Sequence, residues 1–249
     1  MLRAQPAAIY PTMPRLIVAD DNPRDRGFLL DVLAHYTPVV AANGQEALNA
    51  CAADAAPWVV TDIQMPNLNG IELARKIWGR QPAARLLFWS QHSDETYVRA
   101  LAKIVPAETV YGYVLKSNSA DTVARAAQAV FDEDQCWIDP QVRRVQARTL
   151  QAQDALSDAE HEVLIDIALG LTDNAIAERR YLSRRGAQNR LQSLYVKLGA
   201  NDAAALKAGA AEVLNIRARA VSIALQRGLV NTFELAREEQ LLAIWLGKR

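Results

Sequence analysis

Five short apolar runs, each followed by a helix-length amphipathic stretch, occupy the first half of the 249-residue chain and restrict it to one class of fold. The runs are RLIVA (15–19), PVVAA (38–42), WVVT (58–61), RLLFWS (85–90) and VYGYVL (110–115). Amphipathic segments follow them near 24–35, 44–54, 70–79, 94–104 and 119–131. A strand-helix alternation repeated five times predicts an α/β doubly wound, five-stranded parallel sheet with helices packed on its faces.

In open sheets of this kind the ligand site lies beyond the carboxyl ends of the strands, so the residue after each run carries the information. The first run ends on Asp20 and Asp21, the third on Asp62, the fourth on Ser90 and the fifth on Lys116. Singly, each has an ordinary explanation: an aspartate after a strand caps a helix, and a lysine is solvated surface. Together they bring three carboxylates to one sheet edge, where mutual repulsion calls for a counter-charge. A hard divalent cation supplies it. Mg2+, for which Mn2+ can substitute, accepts one or two carboxylates and a carbonyl and leaves room for phosphoryl oxygens within reach of Ser90 and Lys116.

The segments VADDNP (18–23), VVTDIQMPNLNG (59–70), LLFWS (86–90) and GYVLKS (112–117) carry a specific resemblance to the receiver domain of two-component response regulators. The resemblance covers roughly residues 14–133 and implies a flavodoxin-like fold. It also implies that Asp62 is the phosphoacceptor, that Asp20, Asp21 and Asp62 hold the metal with the backbone carbonyl of Gln64, and that Ser90 and Lys116 hold the phosphoryl group. Tyr113 is then the aromatic that reorients as Ser90 moves. Such a domain takes part in phosphoryl transfer and self-dephosphorylation and is otherwise no enzyme. Two positions depart from the family's pattern. Gln91 stands where a small residue is usual, which can restrict access to the phosphoryl group, and Gln64 occupies a position that tunes its hydrolysis. Competing α/β enzymes fit less well: a haloacid-dehalogenase-like phosphatase wants a carboxylate at position 64, and DDNPRDRG has no GxGxxG for a dinucleotide.

The stretch 134–155 loses strand character, turns polar and contains Pro140, and reads as a linker whose part from Gln141 to Gln153 suits a helix. Beyond it the residues predict helices only. Ser157 with Glu160 forms a capping-box pattern ahead of the apolar face Val163, Leu164, Ile167 and Ala168, and Gly170 ends that helix. Thr172 caps a short helix, and Ser183 caps a longer one that buries Ala187, Leu191, Leu194 and Leu198. Between Arg179 and Lys197 lie Arg179, Arg180, Arg184, Arg185, Arg190 and Lys197; after Arg179 the stretch has no acidic residue. Such a run is either a solvated helix face or a surface for phosphates and base edges.

The segments LSDAEHEVL, GLTDNAIAERRYLS and LQSLYVKLG resemble the LuxR/NarL-type helix-turn-helix output domain over roughly 156–199. The resemblance makes the helix Arg184 to Leu198 the recognition helix, with Arg184, Arg185, Gln188, Asn189 and Arg190 towards double-stranded DNA and Lys197 further along it. Gly186-Ala187 replaces a usual Thr-Val, and Arg180 stands where leucine is common.

The expected organisation is a tail over 1–13, a receiver over 14–133, a linker over 134–155, a helix-turn-helix domain over 156–231 with an insertion near 200–216, and a helical extension over 232–249. In the extension Leu235, Leu241, Leu242, Trp245 and Leu246 make an apolar stripe that either packs on the chain's own domain or serves self-association, the favoured reading. The balance of 28 Lys+Arg against 28 Asp+Glu leaves DNA binding to local charge. Cys51 and Cys136 lack disulfide or zinc spacing. The chain shows no signal peptide and no apolar run of ~18 residues, so a cytoplasmic protein without membrane contact is expected. The reading is a phosphorylation-regulated transcription regulator with a histidine kinase, DNA, a second copy and RNA polymerase as partners. The alternative is a phosphorelay or protein-interaction module with a degenerate helix-turn-helix.

Overall fold

The strands of the sheet are short, of two to six residues, and polar side chains in several of the loops that follow them cap the next helix. The computed structural model describes residues 15–52, 54–151, 155–201 and 214–248. The expected tail and most of the expected insertion lie outside these residues. The chain divides into two compact units: one runs to Gln91 and resumes over Ile104–Ile138, and the other comprises His92–Lys103 and the chain from Asp139 onward.

In the first unit the strands are β1 (Leu16–Ala19), β2 (Val39–Ala41), β3 (Trp58–Thr61), β4 (Arg85–Ser90), β5 (Tyr111–Leu115) and β6 (Trp137–Ile138). They form one sheet in the order β2-β1-β3-β4-β5-β6, and every pairing is parallel. Among the described residues four α-helices belong to this unit: α1 (Pro23–Val32), α2 (Gly44–Cys51), α3 (Gly70–Trp78) and α5 (Ala120–Phe131). The side chains of Asn22, Asn43, Asn69 and Ser119 cap them, and Pro23 takes the first helical position of α1.

The apolar runs supply both faces of the sheet. Leu16, Val18, Trp58, Val60, Leu87, Trp89 and Val114 form one buried cluster with Leu29 of α1 and Val123, Val130 and Phe131 of α5. Their alternates Ile17, Val59, Leu86, Phe88 and Tyr113 are equally buried on the other face, where Trp78 of α3 sets its ring edge-on to Phe88.

The expected sheet had five strands, and the structure adds β6 inside the expected linker. Its two residues pair with Gly112 and Tyr113. Two residues are too few to leave a periodic signal, and only the open edge of β5 turns them into a strand. Gly112 permits the approach, because a Cβ there would collide with Leu87 and Val130 and press on the Trp137 carbonyl.

The second unit contains α4 (Glu95–Ala102), α6 (Pro140–Gln151), α7 (Asp158–Ala168), α8 (Asp173–Arg179), α9 (Arg184–Leu198), α10 (Ile216–Gln226) and α11 (Thr232–Leu246). The capping box of Ser157 and Glu160 is formed, Gly170 adopts positive φ at 82°, and Thr172 and Ser183 cap α8 and α9. Val163, Leu164, Ile176, Ala187, Leu191, Leu194, Leu198, Ala220 and Ala224 make the core. The apolar stripe of the extension divides. Leu235 and Leu242 pack on that core, whereas Leu241, Ile244 and Leu246 are exposed.

A buried charge organises this core. The carboxylate of Asp166 is fully buried and accepts from Arg179 Nη1 at 2.6 Å and from Arg180 Nε at 2.8 Å. Arg179 reaches on to Glu238 of α11 at 3.1 Å. Removing the anion takes the shared buried partner from two largely buried guanidinium groups, so Asp166→Ala should cost about 3 kcal/mol in urea denaturation, and Asp166→Asn less.

A second polar tie links α4 to α11. The Thr96 hydroxyl donates to the Leu229 carbonyl at 3.0 Å and lies 3.2 Å from Glu234 Oε2, while Asn231, the cap of α11, donates to Asp94 at 3.2 Å. Burial pushes the Glu234 carboxyl up to about 7 from an ordinary value of 4.5, against a smaller opposing pull from Thr96. A raised folded-state value favours the protonated form, so this contribution to stability is full below about pH 4.5 and is lost as pH rises through about 7. Thermal melts across that window should show Tm falling with pH, and Glu234→Gln should flatten the dependence.

Candidate functional site

β1 and β3 are neighbours, so their ends deliver Asp20 and Asp62 to the same spot; the Asp62 amide donates to the Ala19 carbonyl at 2.9 Å. After Asp62 the chain turns through Met65-Pro66 and Asn67, which holds positive φ at 66°, and re-enters a helix at Gly70. The Gly70 amide donates back to the Ile63 carbonyl at 2.9 Å, closing the turn beneath the carboxylate. At the other side β4 and β5 pair Ser90 with Leu115, and the Lys116 amide donates to the Ser90 carbonyl at 2.8 Å.

These pairings bring the predicted residues together. Oxygens of Asp20, Asp21 and Asp62 lie within 4.8 Å of one another. Asp20 and Asp62 are buried and Asp21 is exposed, so the cluster opens to solvent on one side. Gln64 follows directly, its amide 3.3 Å from Asp62 Oδ1, and the Ile63 amide donates to the same oxygen at 2.6 Å. Ser90 is fully buried at its strand end, and Tyr113 is buried beside Phe88 with ring centroids 6.2 Å apart. Gln91 is exposed.

Lys116 is the hub. Its Nζ donates to Asp20 Oδ2 at 2.7 Å, Asp62 Oδ2 at 2.9 Å and Asp25 Oδ2 at 2.7 Å, and lies 4.9 Å from the centre of the Trp89 ring. Burial raises the Asp62 and Asp20 carboxyls above the ordinary carboxylate range, and Lys116 only partly offsets it. Burial alone would lower the Lys116 ammonium, but hydrogen bonds to Asp20 and Asp25 and the charge of Asp62 outweigh it and hold it well above the ordinary range. The arrangement can neutralise negative charge at a carboxylate nucleophile. Asp25, on the first turn of α1, was not among the residues expected at the site. Nothing in DDNPRDRG separates it from a helix-start acid.

Three carboxylates of one sign around a polar mouth, with a lysine as the sole counter-ion among the described contacts, suit a hard divalent cation. A parallel α/β domain with an acidic trio and a lysine at the carboxyl edge of its sheet has the organisation of a receiver domain. A family model, the response regulator receiver domain, matches residues 16–128. The chain is 30% identical over 198 residues to the DNA-binding transcriptional activator DevR/DosR of Mycobacterium tuberculosis, covering 75% of this chain and 89% of that protein. It is 27% identical over 214 residues to the transcriptional regulatory protein LnrK of Bacillus subtilis, covering 76% and 93%. In fold it is similar to the two-component response regulator RcsB in a DNA complex, with a TM-score of 0.54 at 21% identity over 76% of this chain and 93% of that one. The chain belongs to the response regulators, among the transcriptional regulators of NarL/DegU type.

The helical unit divides the expected basic surface in two. Arg184, Arg185, Gln188 and Asn189 are exposed along the first half of α9 and Arg190 is half-buried, and no ion pair engages these arginines among the described residues. Lys197 stands apart from them. Its ammonium donates to Glu160 Oε2 at 2.7 Å and to the Ala155 carbonyl at 3.0 Å, so it is spent inside the unit rather than offered to a ligand. Arg179 and Arg180 are likewise consumed by Asp166, which explains why arginine is tolerated at 180 in place of a core leucine. A linear charge count cannot see these partners, because Glu160 and Asp166 lie on another helix.

No helix among the described residues is long and apolar enough to cross a membrane. The positioning of Asp62 depends on the glycine that follows its turn. A Cβ at Gly70 would collide with the Asp62 carbonyl oxygen and press on Ile63. Gly70→Ala should therefore displace the β3-α3 turn, lowering stability by about 1–3 kcal/mol and abolishing phosphoryl uptake by Asp62, measured by denaturation and by mass spectrometry after incubation with acetyl phosphate.

Proposed function

We propose that this protein is a phosphorylation-regulated, DNA-binding transcription regulator whose receiver spans 14–133, whose helix-turn-helix domain spans 156–231 and whose helical extension follows. The observation that carries the reading is the Lys116 hub, which sets its ammonium 2.9 Å from the Asp62 carboxylate beside the acidic trio. A histidine kinase is the donor this chemistry fits. A carboxylate oxygen of Asp62 attacks the phosphorus of a phosphoimidazole, the O–P bond forms as the N–P bond breaks, and the imidazole leaves with the bonding electrons.

The side chains of Asp20, Asp21 and Asp62 with the Gln64 carbonyl would hold Mg2+, which supplies charge neutralisation when bound. The protein's own groups do the remainder. The Ile63 and Gln64 amides orient the Asp62 carboxylate, and Lys116 meets the charge gathering on the transferred group. Ser90 supplies a hydroxyl to a phosphoryl oxygen, and its movement gives Tyr113 on the neighbouring strand space to turn. Return of the site to its starting state requires only attack of water on the acyl phosphate, with the exposed Gln91 and half-buried Gln64 at the entrance controlling access.

DNA contact is assigned to α9. Arg184, Arg185 and Arg190 face phosphates, and Gln188 and Asn189 have the donor and acceptor pairs that read adenine in a major groove. Lys197 is left out of this set because Glu160 holds it. A homodimer matches a two-fold operator, RNA polymerase is a further partner, and the cytoplasm is the compartment in which these partners meet. The named relatives support this reading over an interaction module lacking DNA binding.

The test compares wild type with Asp62→Asn. Wild type should gain a phosphoryl group from acetyl phosphate and Mg2+ and change its DNA affinity, while the variant does neither. Affinity should fall log-linearly with salt, and alanine at Arg184, Arg185 or Arg190 should each reduce the slope by about one. Equal phosphoryl uptake and equal DNA affinity in Asp62→Asn would remove the phosphorylation-regulated reading.

A further inference from the structure

We infer that Asp25 is a positioning residue of the phosphoacceptor site that holds Lys116 in reserve and sets how tightly the site takes a phosphoryl group. The inference rests on the assignment of Asp62 as acceptor. An ammonium has three hydrogens, and here all three are engaged: Asp20 at 2.7 Å, Asp62 at 2.9 Å and Asp25 at 2.7 Å. A phosphoryl oxygen can reach Lys116 only by displacing one of them.

The three partners are not equivalent. Asp20 and Asp62 belong to the carboxylate trio within 4.8 Å that suits a cation, and Asp25 does not. A cation held by Asp20 and Asp62 would weaken their hold on Lys116 and leave the Asp25 bond as strong as before. Asp25 would then hold the ammonium towards α1, and a phosphoryl oxygen that takes Lys116 would have to draw it away from that anion.

The local structure makes Asp25 a firm competitor. It sits on the first turn of α1, whose start is set by the Asn22 cap and Pro23 and tied to the site by Arg26, which donates to the Asp20 carbonyl at 2.6 Å. Phe28, one turn along, stacks on Trp89 at 5.3 Å and 8°, and the Trp89 ring lies under Lys116. One helix thus fixes both an anion and, through Phe28, an aromatic face against the same ammonium. Asp25 is the most exposed of the three carboxylates, with 24% of its side chain open. Its negative charge meets an incoming dianionic donor before the buried groups do.

The experiment uses the full chain with Asp25 intact, with Asp25→Asn, which keeps the shape and removes the charge, and with Asp25→Glu, which restores it. Binding of beryllium trifluoride with Mg2+ is followed by tryptophan fluorescence, phosphoryl uptake from acetyl phosphate by mass spectrometry, and the Lys116 ammonium by NMR of isotope-labelled lysine without metal. Asp25→Asn should shift the Lys116 resonance, raise beryllium trifluoride affinity and speed phosphoryl uptake about three- to tenfold, with Asp25→Glu returning towards wild type. A merely structural role would instead lower affinity in both variants. Unchanged or weaker affinity in Asp25→Asn, with Asp62 still taking the phosphoryl group, overturns the inference alone. Absence of any uptake at Asp62 in wild type overturns the acceptor assignment, and the inference with it.

Discussion

Like charges cannot be gathered at a sheet edge without a counter-charge, and in this receiver the counter-charge is one ammonium. Lys116 bonds to carboxylates from the end of β1, from the end of β3 and from α1. The β1-α1 turn and the end of β3 are tied to the end of β5 at one point. Strand register places the lysine there, because β4 and β5 pair up to Ser90 and Leu115 and the next residue projects over the acidic cluster. The same geometry sets a positive group directly against the Asp62 carboxylate.

The helical unit solves a related problem with the opposite sign. Asp166 is a buried anion that settles two arginines, and Glu160 settles Lys197 while completing the cap of α7. Burial would raise the Glu160 carboxyl, yet bonds from Lys197, Ser193 and Ser157 hold it down at about 2. Half of the basic run is thereby internal scaffolding. The arginines left at the start of α9 are concentrated on one short stretch, which favours contact with a polyanion more than a uniformly basic helix would.

Much of the receiver was legible because its signals are local. Continuous apolar runs, aspartates placed directly after them, and a lysine five strands on follow from the rule that open sheets act at their carboxyl edge. The caps at Ser157, Thr172 and Ser183 were legible for the same reason, since each acts within three residues. Asp25, β6, the pairing of Arg180 with Asp166 and the grouping of α4 with the C-terminal helices were not. Each depends on a partner on another element, 14 residues away or more, and neither periodicity nor composition records such partners.

The sequence by itself determined the class of both units and the strand ends at which Asp20, Asp21, Asp62 and Lys116 stand, because strand period and cap chemistry are properties of neighbouring residues. Only the tertiary structure decided which charges are available. It spent Arg179, Arg180 and Lys197 on buried acids, left Arg184 and Arg185 exposed, and joined a third carboxylate, Asp25, to Lys116. The reason is physical: a charge removed from water is costly until it is paired, and pairing is set by which helices and strands pack together.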